Sequence, residues 1–152
     1  APSLGLVGSE MCIRDRTLSV RMKQHNENAS QVAHFLNSHS KIIKIHYPGI
    51  DSKYKDIASQ QMDGFGGMMS IVIDTDLSGI NKFLKNLSLF TLAESLGGVE
   101  SLIEHPAIMT HASIDKDVRE SLGITDNLLR LSIGIEDVDD LIADLEQALQ
   151  QI

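Results

Sequence analysis

Residues 89–113 constrain the fold more than any other stretch, because they mix apolar side chains with closely spaced polar ones. The sequence LFTLAESLGGVESLIEHPAIMTHAS holds a polar knot at residues 94–98 that ends in two glycines. Adjacent glycines permit positive φ angles, and Pro106 ends any helix that reaches it. The many apolar side chains require burial. We therefore predict a packed irregular segment that forms one wall of a site; the alternative is a buried connection whose polar groups are satisfied internally.

Periodic patterns on both sides of this segment predict alternating helices and strands. Apolar spacings of three and four predict a long helix over residues 18–36, and apolar alternation predicts a strand over residues 41–47. The remaining predicted elements are a helix at 52–62, strands at 68–74 and 88–92, helices at 77–87 and 115–122, a strand at 127–135 and a helix from 136. This order predicts an α+β (two-layer α/β) fold, in which helices cover one side of a small mixed, mostly antiparallel sheet preceded by a long helix.

Charge and cysteine content exclude several classes of protein. The 13 basic and 21 acidic residues give a formal net charge of −8, which argues against a nucleic-acid surface. The sequence has no apolar run of about 18 residues that could span a membrane. A single cysteine excludes an internal disulfide framework and a cysteine-rich metal site. We therefore expect a cytoplasmic protein that binds neither nucleic acid nor membrane and holds no metal.

Arg130 lies within LLRLSIGI, an otherwise apolar predicted strand. A guanidinium there is costly unless it meets an anion or reaches water. Its planar fork can donate two parallel hydrogen bonds to a carboxylate. That carboxylate could belong to a ligand or to the chain itself, for example to Glu94 or Glu100, and the residues alone leave both readings open.

The chain resembles the C-terminal domain of the Cys/Met-metabolism enzymes that use pyridoxal phosphate (PLP), above all the cystathionine γ-synthases and γ-lyases. The resemblance covers almost all of residues 17–152, through the 89–113 segment and through TLSVRMKQHNENASQVAHFL, YPGI, QMDGFGGMMS and LLRLSIGIEDVDDLIADLEQAL. It implies the small C-terminal domain of a fold-type-I PLP enzyme without its large PLP-binding domain. It also implies a homotetrameric parent enzyme that acts on a small amino-acid substrate.

The resemblance also implies roles for individual residues. Arg130 matches the arginine that binds the substrate α-carboxylate in similar enzymes, and Ser95 matches a serine at the same carboxylate. Glu94 matches a glutamate near the distal end of the substrate that influences the choice of reaction.

Three further residues, Leu96, Thr110 and His111, are expected to support this site. The Schiff-base lysine of similar enzymes lies upstream of the matching region, as do their other cofactor-binding residues. We therefore assign no catalytic, cofactor-binding or metal-binding residue in this chain.

Residues 1–16, APSLGLVGSEMCIRDR, lie outside the resemblance. We interpret them as a non-native scar derived from a sequencing adapter, or as a disordered tail. The expected function is that of a C-terminal fragment, inactive alone, of a transsulfuration enzyme that works by γ-replacement or γ-elimination. The alternatives are another family member (a homoserine-ester sulfhydrylase, cystathionine β-lyase or methionine γ-lyase) or a stand-alone amino-acid-binding module. The sequence does not separate synthase from lyase.

Overall fold

A computed structural model describes residues 15–50 and 53–152. Its helices are α1 (Leu18–Ser38), α2 (Lys55–Gln61), α3 (Leu77–Asn86), α4 (Lys116–Ser121) and α5 (Val138–Leu149). Its strands are β1 (Ile42–His46), β2 (Met68–Ile73), β3 (Thr91–Leu92), β4 (Leu102–Glu104) and β5 (Leu128–Ser132). The first helix is the long one that the sequence predicts.

The strands form one sheet in the order β1-β2-β5-β4-β3. Pairing is antiparallel between β1 and β2, between β2 and β5, and between β5 and β4. Only β3 and β4, within the described part of the chain, pair in parallel. The predicted mixed, mostly antiparallel sheet is therefore confirmed, and β5 lies at its centre.

The hydrophobic core lies between one face of this sheet and the helices. Because side chains alternate across a strand, Leu129 and Leu131 of β5 point to one face and are fully buried. They belong to one buried cluster with residues of α1, α3 and α5, among them Val32, Phe83 and Leu145. We call the opposite face of the sheet, which carries Arg130 and Ser132, the open face.

Strand β4 lies inside the segment that the sequence predicts to be irregular, so that prediction was wrong for Leu102–Glu104. Three residues are too few to show an alternating pattern, and all three are buried. The strand forms because β5 and β3 supply hydrogen-bonding partners on its two sides.

Strand β3 is shorter than predicted, because the backbone just before it bonds to a helix. The carboxylate of Asp144 in α5 accepts hydrogen bonds from the backbone N–H groups of Ser88, Leu89 and Phe90, at 2.8, 2.9 and 3.2 Å. These donors are therefore satisfied outside the sheet. Asp144 is 6% exposed, so this contact attaches the chain before β3 to the helical layer.

Most of the segment interpreted as a scar or tail, residues 1–14, lies outside the described residues. Its last two residues, Asp15 and Arg16, are helical and exposed. None of the helices in the described part of the chain is long and apolar enough to cross a membrane. Over the same residues, no group of three or more His, Cys, Asp or Glu side chains could hold a metal ion.

Candidate functional site

The polar knot, residues 94–98, crosses the open face of β5 and is bound there by two side chains. Arg130 donates from Nη2 to the backbone carbonyls of Glu94, at 2.8 Å, and Ser95, at 3.3 Å. Ser132 accepts a hydrogen bond at Oγ from the backbone N–H of Gly97, at 2.9 Å. Gly97 has a φ of 72°, a conformation that glycine adopts without a steric penalty. The strand thus fixes the position of the loop.

The other terminal nitrogen of Arg130 forms an ion pair with Glu104. The two residues are direct partners in the β4–β5 register, and 2.6 Å separates Nη1 from Oε2 of Glu104. The Glu104 side chain is 1% exposed and that of Arg130 is 26% exposed. At this distance the two opposite charges attract strongly. We therefore treat the contact as an ion pair.

Glu104 is held in turn by a short chain of hydrogen bonds. The Thr110 hydroxyl donates to Oε1 of Glu104 and lies 2.8 Å from Nδ1 of His111. A hydroxyl carries one proton, and Thr110 gives it to the carboxylate. Nδ1 of His111 must therefore be the donor in the second bond, which fixes its tautomer. Thr110 and His111 thus support the guanidinium through Glu104.

Arg130 retains a buried donor, Nε, that no described residue uses. Unpaired buried donors are rare, because each loses its bonds to water without replacement. A planar oxyanion can bind Nε together with an N–H of a terminal nitrogen. The arrangement is therefore suited to a carboxylate-bearing ligand.

The segment that supplies Thr110 and His111 is anchored at a second point. Nε2 of His105 lies 2.8 Å from the backbone carbonyl of Asp126. The side chain of Asp126 pairs with Lys116 at 2.7 Å and with Arg119 at 2.6 Å. The hydrogen bonds from Lys116 and Arg119 hold the pKa of the Asp126 carboxyl below its ordinary value. The chain after β4 is thus attached to α4 and to the segment before β5.

The structure brings most of the predicted site residues around Arg130, though not always through their side chains. Glu94 and Ser95 contact the guanidinium with their backbone carbonyls, while both residues remain exposed. Leu96 is 51% exposed. It borders a separate cavity of about 360 Å³, which is also lined by Met22, His25 and Ser132.

The sequence reasoning missed Glu104, having named Glu94 and Glu100 as possible carboxylate partners of Arg130. The β4–β5 register places Glu104 opposite the guanidinium instead, whereas Glu94 approaches with its carbonyl and Glu100 is exposed. One signal in the sequence could have indicated it. A lone acid follows two apolar residues in SLIEHP, as Arg130 does in LLR.

The sequence model of one family, described as "Cys/Met metabolism PLP-dependent enzyme", matches residues 10–150. A cystathionine beta-lyase from Lactococcus lactis subsp. cremoris is 51% identical over 137 residues, which are 90% of this chain and 36% of that protein. A cystathionine gamma-lyase from Bos taurus is 51% identical over 154 residues, 97% of this chain and 38% of that protein. The chain thus spans little more than a third of the length of these relatives.

Solved structures give the same result for the fold. A cystathionine gamma synthase from Xanthomonas oryzae pv. oryzae, in complex with aminoacrylate and cysteine, superposes with a TM-score of 0.85 at 45% identity. The match covers 90% of this chain and 35% of that one. A cystathionine gamma-lyase from Lactobacillus plantarum, complexed with L-serine, superposes with a TM-score of 0.82 at 46% identity, covering 90% and 36%.

Proposed function

We propose that this chain, which belongs to the Cys/Met metabolism family of PLP-dependent enzymes, supplies the substrate-carboxylate site of a transsulfuration enzyme of the cystathionine γ-synthase or γ-lyase type. The parent, called the full-length enzyme below, is a protein of its relatives' length that contains this chain as its C-terminal domain. The proposal rests on two observations. The chain matches only 36% of the length of the Lactococcus protein, and the geometry around Arg130 suits a carboxylate.

The observation that carries the proposal is the unpaired, buried Nε of Arg130. An amino-acid substrate offers an α-carboxylate, which can accept two parallel hydrogen bonds from a guanidinium. The backbone carbonyls of Glu94 and Ser95 and the carboxylate of Glu104 already hold the terminal nitrogens. The guanidinium is therefore oriented before the substrate arrives, which reduces the entropy lost on binding.

The same geometry supports proposed roles for Glu94 and Ser95. Their backbone carbonyls contact the guanidinium and their side chains are exposed, which supports a position for both residues at the substrate site. We propose that the Ser95 hydroxyl donates to the substrate α-carboxylate. The Glu94 carboxylate then faces the distal part of the substrate, where it can attract a cationic group such as the second ammonium of cystathionine.

The resemblance matches no lysine of this chain to the lysine that holds PLP in similar enzymes. Two of the chain's lysines are engaged elsewhere in the fold: Lys41 donates to the Leu149 carbonyl at 2.8 Å, and Lys116 pairs with Asp126. When bound, PLP supplies an electron sink for carbanion chemistry. We therefore assign PLP binding to the rest of the full-length enzyme and expect this chain alone to be inactive.

A specific observation favours β-elimination as a second candidate, since the Lactococcus relative is named as a β-lyase. Product analysis separates the two reactions on cystathionine. Cleavage of the γ-carbon–sulfur bond, with water, releases cysteine, 2-oxobutanoate and ammonia. Cleavage of the β-carbon–sulfur bond, with water, releases homocysteine, pyruvate and ammonia.

The test is to incubate the purified full-length enzyme, loaded with PLP, with cystathionine and to identify the oxo acid. We expect 2-oxobutanoate from cystathionine. When the enzyme is given cysteine and an activated homoserine ester instead, formation of cystathionine would also agree with the proposal. Pyruvate with homocysteine would establish the β-lyase alternative. A PLP-loaded enzyme that carries out none of these reactions would contradict a transsulfuration function. We further propose that the full-length enzyme is cytoplasmic and homotetrameric. Light scattering on the full-length enzyme would test the tetramer.

A further inference from the structure

We propose that Glu104 is a positioning residue for the substrate carboxylate, which it serves by fixing which edge of the Arg130 guanidinium faces the ligand. This inference rests on the proposed role of Arg130 in binding that carboxylate. The part of Glu104 follows from the 2.6 Å contact between its Oε2 and Nη1 of Arg130.

Burial keeps the two residues together when a ligand binds. Glu104 is 1% exposed, so without the guanidinium it would be an uncompensated buried charge, which is strongly destabilising. Arg130 is therefore unable to leave Glu104 for a substrate. The incoming carboxylate binds to a guanidinium that remains paired with Glu104.

The remaining contacts determine which donors are left for the ligand. Nη1 lies against Glu104, and Nη2 donates to the carbonyl of Glu94 at 2.8 Å. Nε is buried and unpartnered. Because Nη2 also donates to the Ser95 carbonyl over a longer distance, 3.3 Å, a bidentate ligand must use Nε together with Nη2 and replace or share that weaker bond. Glu104 holds the guanidinium in the rotation that presents this edge.

Thr110 and His111 also help to position Arg130, because they support Glu104. The Thr110 hydroxyl donates to Oε1 of Glu104, so the carboxylate cannot turn freely about its terminal bond. Nδ1 of His111 donates to the Thr110 oxygen across 2.8 Å. The order of support is therefore His111, Thr110, Glu104 and Arg130, and only Arg130 reaches the substrate.

The main test compares Glu104→Gln with wild type in the PLP-loaded full-length enzyme. Glutamine keeps the shape and can accept the Thr110 bond, but it loses the charge that holds Nη1. We expect KM for cystathionine to rise roughly 10- to 50-fold, with kcat changed less than about 3-fold, because ground-state and transition-state binding of the carboxylate weaken together. The exposed Glu100→Gln is the matched control, with kinetics expected to be unchanged.

Two results would overturn the inference. A lower KM in Glu104→Gln would mean that Glu104 competes with the substrate for Arg130. An unchanged KM in a folded, less stable variant would mean that the ion pair serves stability alone. Thr110→Val provides a second route if Glu104→Gln fails to fold, because Thr110 is exposed. We expect Thr110→Val to raise KM for cystathionine about 3-fold. An unchanged KM in this variant would count against the inference.

A double-mutant cycle separates positioning from a general structural effect. In an Arg130→Lys background, Glu104→Gln should add little to the loss of kcat/KM if it acts only through the guanidinium. Additive losses would contradict the inference while leaving the role of Arg130 intact. If Arg130→Lys itself has no effect on kcat/KM, the proposed function fails first.

Discussion

Ser132 and Gly97 are joined by a 2.9 Å hydrogen bond in which the Gly97 N–H donates to the Ser132 hydroxyl. Through this bond β5 holds the polar knot that carries Glu94 and Ser95. Ser132 is 3% exposed, so no water can take its place without a rearrangement of the loop.

Ser132→Ala should therefore loosen the polar knot. We expect a loss of about 0.5–1.5 kcal/mol in the free energy of unfolding, which is typical for one hydrogen bond. Urea denaturation of the chain measures it. Ser121→Ala is the matched control, because Ser121 is exposed and bonds only within its own helix turn, to the Val118 carbonyl. Equal stability of the two variants would contradict the role given to Ser132.

Arg130→Lys should impair the full-length enzyme while leaving its cofactor absorbance nearly unchanged. Lysine keeps a positive charge but loses the two-pronged geometry. We expect kcat/KM to fall roughly 30- to 1000-fold, corresponding to about 2–4 kcal/mol. Steady-state kinetics and the melting temperature are measured on the same variant. A lower melting temperature with unaltered kcat/KM would show that Arg130 serves only its ion pair with Glu104.

Asp144→Asn should destabilise the chain more than substitution of an exposed acid on the same helix. The Asp144 carboxylate accepts three backbone N–H groups, and an amide offers one acceptor oxygen and a donor that these N–H groups cannot use. We expect a loss of about 1.5–3 kcal/mol, as for hydrogen bonds to a charged group. Asp140→Asn, which is exposed on α5, should change the free energy of unfolding by less than about 1 kcal/mol.

Asp126 should contribute stability that depends on pH. Hydrogen bonds from Lys116 and Arg119 lower its pKa in the folded chain relative to the unfolded one. A group with a depressed folded pKa stabilises above its unfolded pKa, about 3.9 for aspartate, and loses that contribution as pH falls through the folded value.

The measurement is the melting temperature of wild type and Asp126→Asn across pH. The variant should be less stable at about pH 7, and the difference should shrink steadily below about pH 4. The exposed Asp63→Asn provides the control. A difference that stays constant down to about pH 2 would show that the Asp126 charge is not responsible.

Much of the fold could be predicted from the sequence, because long elements have clear periods. The long helix α1 and the strand that contains Arg130 were both predicted correctly. Strand β4 was not predicted, because reasoning from periodicity needs a longer element. Its three residues carry no readable period, and its register with β5 depends on residues far along the chain.

The candidate site, like the fold, could be predicted from the sequence only in part. The resemblance implied roles for Arg130, Glu94 and Ser95, whereas the Glu104 contact required knowledge of the strand pairing. The backbone roles of Glu94 and Ser95 were also out of reach, because a sequence specifies side chains and leaves open which carbonyl a turn presents. Residue types thus led to a proposed ligand chemistry, while the groups that orient Arg130 appear only in three dimensions.

The central position of β5 has a consequence for synthesis of the chain on the ribosome. Leu128–Ser132 lies between β2 and β4 in the sheet, although it follows both of them in sequence. Until these residues leave the exit tunnel, the β1–β2 pair and the β3–β4 pair have no shared neighbour. We expect the nascent chain to expose the facing edges of β2 and β4 until β5 has been synthesised, which is the period in which a chaperone can bind them.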